Sequence, residues 1–179
     1  MREERVMSNI DLTRIEKFLK RAEADPSVAE KEITLEVEWV NRKGIPQMRC
    51  YVSSGSSLGA LLEAELPSDL GGKSIRPTPF QYFLYGLATS YLSIFMILAS
   101  QKGISFDKVS LSLKTRMNYL RFLKPEEEGA PYEITLRIVI ESEAADEELY
   151  EIMENAKKLC PAFSPINVKV FLERENVNQ

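Results

Sequence analysis

The chain contains no histidine. That single absence removes serine nucleophiles activated by imidazole and zinc or iron sites built on His ligands. Cysteine is nearly as scarce. Cys50 and Cys160 are the only two, too few for a disulfide framework or for a thiolate zinc site on their own. No metal and no cofactor is expected. Positive charge is also in short supply: 23 Lys and Arg stand against 27 Asp and Glu, for a net charge of −4. A nucleic-acid partner normally needs a basic face, so none is expected. The opening Met1-Arg2-Glu3-Glu4-Arg5 is charged with no apolar segment behind it. It does not read as a secretory signal, and a cytoplasmic location is the default expectation.

What is present is ordinary in bulk and unusual in the middle. The 179 residues are 44% hydrophobic and 28% charged, the profile of a globular domain long enough to bury a substantial core. No internal repeat is visible. The run from Phe80 to Ser100 (FQYFLYGLATSYLSIFMILAS), however, carries no charge at all. As a helix it spans roughly 32 Å, enough to cross a bilayer or the centre of a core. Gln81, Thr89, Ser90, Ser93 and three tyrosines interrupt its apolar character, and Arg76 and Lys102 flank it symmetrically. With no charge bias to orient it, the buried-core reading is preferred over a membrane span. Gly86, Ser90 and Ser93 fall on one face, a slim seam along which a second helix can approach. A helix apolar on every side needs cover on every side, which implies a partner subunit.

Around that run the pattern alternates between helix and strand. Residues 11–24 read as an amphipathic helix capped by Asp11 and ended by Asp25-Pro26. Ile33, Leu35, Val37 and Trp39 alternate with polar residues, as a half-buried strand does. A turn at Arg42-Lys43-Gly44 leads to a hairpin partner over 47–53, and residues 58–66 supply a third strand. Residues 68–78 form a Gly- and Pro-containing loop. Alternation recurs over 109–117 and 132–141, joined by the solvated turn Lys124-Pro-Glu-Glu-Glu-Gly129. A helix over 146–159, with acidic start and Lys157-Lys158 at its end, suits the helix dipole. A last strand covers 167–174. Hairpins with helices inserted between them specify an α+β domain with an antiparallel sheet.

Two short motifs invite chemistry. Gly72-Lys73-Ser74 resembles the tail of a phosphate-binding loop, but Pro67 stands where its first glycine belongs, and Ile75-Arg76-Pro77 cannot open the required helix. Nucleotide binding through it is rejected. Cys160 closes the second long helix and precedes Pro161. It reads either as a small buried hydrophobe or as a reactive thiol; the helix C-terminus opposes a thiolate and the neighbouring lysines favour one.

Gly71-Gly72, then Pro79 opening a long apolar helix with Ser90 at its centre, then Cys160-Pro161 at a helix end, together resemble the OsmC/Ohr family of thiol-dependent hydroperoxide reductases. The likeness runs from about Glu32 to Glu173, which leaves residues 1–30 as an N-terminal helical extension and 31–179 as an OsmC-like domain. It implies an intertwined homodimer with the long helices buried between sheets. It also implies that the peroxidatic position falls on Ser90 and the resolving position on Cys160. The family's Glu falls on Phe80 and its Arg on Arg42. A hydroxyl has no redox chemistry at this position, and a phenyl ring cannot hydrogen-bond a guanidinium. The expectation is therefore a degenerate member that keeps an apolar pocket at the dimer interface with one thiol at its edge. It would bind a small apolar molecule, without the two-cysteine cycle. The alternative is an active one-cysteine peroxidase or redox protein that uses Cys160 on a peroxide ligand in the oxidative stress response.

Overall fold

The computed structural model describes residues 5–53, 59–124, 133–164 and 168–170. A small ribbon, β1 (Val6–Met7) with β2 (Ile10–Asp11), leads into helix α1 (Leu12–Ala24). Asp11 caps α1, its side chain accepting from the Arg14 N–H at 3.1 Å. Three antiparallel strands follow: β3 (Val37–Trp39), β4 (Met48–Val52) and β5 (Ala60–Ala64). The central helix α2 (Pro79–Gln101) comes next, then β6 (Lys108–Thr115), the single turn α3 (Leu120–Leu123), β7 (Ile134–Glu141) and helix α4 (Asp146–Leu159).

The start of α2 is fixed by local chemistry. Thr78 accepts from the Gln81 N–H, while the Gln81 side chain accepts from the Thr78 N–H at 2.8 Å. Pro79 supplies the first helical residue, where no N–H is missed. At the other end Gly103, in the left-handed region, turns the chain towards β6.

The core lies between α2, α4 and the hairpin β6–β7. Tyr91, Phe95 and Ala99 from α2 meet Ile152, Ala156 and Cys160 from α4. Leu111, Leu136, Ile138 and Ile140 cover them from the sheet. The two strands pair over eight residues, from Lys108 opposite Glu141 to Thr115 opposite Ile134. Period-two alternation puts every apolar side chain named here on the inner face.

The three-stranded sheet is two-faced in the same way. Register sets Val37, Cys50 and Leu62 side by side, and Trp39, Met48 and Ala64 beside them, all on one apolar face. The opposite face carries Glu38, Arg49 and Glu63, with ion pairs Arg49–Glu38 at 2.8 Å and Arg76–Glu63 at 2.7 Å. The apolar face has little to pack against: Val37, Trp39 and Leu62 remain exposed.

Several expectations change here. The first strand was expected from Ile33 but begins at Val37; Ile33 and Leu35 are exposed. Their alternation finds no apolar surface to lie on among the described residues, so it does not hold them in the sheet. The expected burial of the central helix is one-sided. Leu87, Tyr91, Phe95, Ala99 and Ser100 are buried, while Phe83 and Tyr85 are exposed. One chain covers the side facing α4 and leaves the other open. The small-residue seam is open at Gly86, which has empty space where a side chain would be. By length and composition α2 could cross a membrane. The expected strand over 167–174 lies mostly outside the described residues, and 168–170 form no strand among them. The acidic turn after Lys124 and Tyr132 also lie outside.

Candidate functional site

Cys160 sits where α4 runs out. Its N–H still donates to the Ala156 carbonyl at 2.9 Å, but its own backbone is extended because Pro161 follows. Pro161–Phe163 then turn once as a 3-10 helix and bring the Phe163 ring against Tyr91, with centroids 5.4 Å apart. The thiol is 1% exposed. Ser90, at the middle of α2, faces it directly: Ser90 Oγ lies 3.5 Å from Cys160 Sγ, within hydrogen-bond reach for sulfur. Seventy residues of chain separate the two, and the crossing of α2 with α4 closes that gap. Both cysteines are free, and Cys50 belongs to a different sheet.

The surroundings of the pair are apolar and tightly held. The Tyr91 hydroxyl donates to the Met153 carbonyl at 3.2 Å, tying α2 to α4 one residue from Ser90. Burial pushes the Tyr91 phenol above its usual range, and the negative charges of Glu154 and a Cys160 thiolate push the same way. Lys157 and Lys158, expected to favour a thiolate, are exposed.

The other two positions singled out by the resemblance lie elsewhere in the chain. Phe80 is ten residues before Ser90, about 15 Å along the helix axis. Its ring stacks on Phe83 with centroids 5.7 Å apart. Both line a cavity of about 550 Å³ with Leu66, Leu70, Met117 and Tyr119. Arg42, in the turn between β3 and β4, lines a separate cavity that also contains Glu65. Ser90 and Cys160 are thus brought together, whereas Phe80 and Arg42 are not. Cys160 does not line the apolar cavity, because the α2–α4 packing encloses it.

The family model for OsmC-like proteins matches residues 71–173. The chain belongs to the OsmC-like family. The match takes in α2, β6, β7, α4 and the Ser90–Cys160 contact. No curated protein matches the OsmC-like chain in sequence. Solved structures do match its fold. An OsmC-like protein of unknown function from Vibrio cholerae superposes with a TM-score of 0.55 at 12% identity, covering 75% of this chain and 92% of that one. An OsmC-like protein from Mycoplasma pneumoniae gives 0.54 at 20% identity, covering 75% and 86%. An organic hydroperoxide resistance protein from Elizabethkingia anophelis gives 0.53 at 18% identity, covering 74% and 86%. The shared architecture is an α+β, OsmC-like fold; at these identities the likeness concerns the fold alone.

Sequence reasoning passed over Tyr91, Phe163 and Glu65. The tyrosine was one of several in an apolar helix, with nothing in its spacing to set it apart. Glu65 falls at the end of the third strand with nothing in the sequence to mark it; in the structure it is 1% exposed.

Proposed function

We propose that this OsmC-like protein is a thiol-depleted relative of the hydroperoxide reductases that binds a small apolar molecule and does not run a two-cysteine peroxide cycle. The observation that carries the reading is the 3.5 Å contact between Ser90 Oγ and Cys160 Sγ. Reduction of a hydroperoxide by a thiol pair needs one sulfur to attack the peroxide and a second to displace water from the resulting sulfenic acid. A hydroxyl at the first position supplies neither sulfur chemistry nor a leaving group, and the chain has no histidine to ionise it. The thiol that remains is enclosed. The cavity at the start of α2, lined by Phe80, Phe83, Met117 and leucines, suits an uncharged alkyl or aryl compound.

The working form is a cytoplasmic homodimer, with residues 1–30 an added N-terminal helical segment. What supports the dimer is the apolar face of β3–β4–β5, uncovered within one chain, together with the exposed aromatic side of α2.

Cumene hydroperoxide and its redox-inert alcohol separate the readings. With dithiothreitol as reductant, the protein should consume the hydroperoxide no faster than buffer, while cumyl alcohol raises its melting temperature. Robust turnover that disappears in Cys160→Ser would overturn this reading in favour of a one-cysteine peroxidase.

A further inference from the structure

A second cavity, of about 340 Å³, is unlike the first in every respect. Its wall is the turn between β3 and β4 on one side and residues 71–73 on the other. Both are shaped by glycines in the left-handed region, Gly44 at φ 94° and Gly71 at φ 86°. The end of β5 forms its floor, fastened on both sides. The Gln47 side chain accepts from the Leu66 N–H at 2.9 Å, and the Glu65 N–H donates to the Pro77 carbonyl at 3.2 Å.

Three cations line this cavity: Arg42, Lys43 and Lys73. None is in an ion pair among the described residues. The one acid is Glu65, 1% exposed. One carboxylate oxygen accepts from the Ile75 N–H at 3.1 Å. The other has no hydrogen-bond partner among the described residues. Every fully enclosed side-chain polar atom described has a partner, so this oxygen opens onto the cavity. Trp39, half uncovered, also lines the cavity.

We propose that this cavity binds a sugar phosphate. Three unpaired cations against one carboxylate favour a dianion, and an Arg fork beside two ammonium groups matches phosphate oxygens. A bare anion would leave the Glu65 oxygen without a donor and face its repulsion. A ligand carrying hydroxyl groups next to its phosphate removes both penalties, because a hydroxyl donates to the buried carboxylate. The volume accommodates a monosaccharide phosphate and excludes much larger ligands. The site is separate from the thiol and from the apolar cavity, and stands or falls independently of them.

Isothermal titration of the full chain in low-salt buffer, with glucose 6-phosphate, inorganic phosphate and glucose as probes, tests the assignment. Glucose 6-phosphate should bind about tenfold more tightly than inorganic phosphate, the gain expected of one hydrogen bond to a charged group. Glucose alone should bind more weakly than either. Lys73→Ala and Lys43→Ala, both at exposed positions, should weaken the two phosphates together, while Arg137→Ala on β7 leaves them unchanged. Glu65→Gln keeps an acceptor for Ile75 and should tighten inorganic phosphate, narrowing its gap to glucose 6-phosphate. Equal affinity for glucose 6-phosphate and inorganic phosphate would overturn the ligand class. Absence of binding at millimolar concentration, or binding indifferent to Lys73→Ala, would overturn the site.

Discussion

Ser90, half-buried, meets the enclosed thiol of Cys160, and each constrains what the other can do. A sulfur at position 90 would face a sulfur at 160 across a gap that helix adjustment can close to disulfide distance. Ser90→Cys is therefore expected to form a 90–160 bridge under mild peroxide, read by mass spectrometry of the non-reduced peptides. By tying α2 to α4 across a long loop, the bridge should stabilise the oxidised protein by about 2–4 kcal/mol. Any regained peroxidase activity should be weak, because Phe80 and Arg42 both line cavities away from the pair. Absence of the bridge would mean that the Ser90–Cys160 contact is misassigned. The neighbouring Tyr91 gives a pH readout of the same packing. Its phenol titrates higher in the folded chain than in the unfolded one, chiefly through burial. The folded state thus holds its proton after the unfolded chain has lost its own. The resulting stabilisation is whole below about pH 10 and is lost as pH climbs from there through the raised folded value. Urea unfolding at pH 8 and pH 11 should show a steeper alkaline loss for the native protein than for Tyr91→Phe. At pH 8 that variant should be less stable by about 1 kcal/mol, for the lost bond to Met153.

At the scale of elements, helices were far more legible than strands. The second long helix was readable to the residue, 146–159, because acidic and basic ends and an apolar stripe are all local signals. The central helix was bounded just as closely by Pro79 and Gly103. Strand β3 was not, since where a strand begins depends on what lies against it, and Ile33 and Leu35 find nothing. The nearness of Ser90 to Cys160 came from the family resemblance; no spacing in the chain states it. Glu65 shows the opposite limit, since its burial is imposed by a loop that folds back over the strand end. That loop depends on one residue. Gly72 donates to the Pro67 carbonyl at 2.9 Å, and a β-carbon there would overlap the Leu66 carbonyl. Gly72→Ala should lower stability on the order of 3 kcal/mol in urea unfolding, an overpacking cost borne by backbone that cannot step aside.

Over the whole molecule, apolar surface is distributed unevenly. The hairpin β6–β7 is closed on its inner face by α2 and α4, whereas the three-stranded sheet leaves Val37, Trp39 and Leu62 of its apolar face exposed. A second copy of the chain is the proposed cover. Placing a charge at its centre, as in Leu62→Glu, should convert a dimer to a monomer by light scattering. Glu38→Gln, on the opposite charged face, should leave the assembly intact. A native protein that scatters as a monomer at micromolar concentration would refute the arrangement.

The open sheet carries one more consequence. If a second chain supplies its missing cover, heat resistance belongs to the pair and obeys mass action. The melting temperature should climb with protein concentration, and a dilute sample should melt earlier than a concentrated one of identical composition.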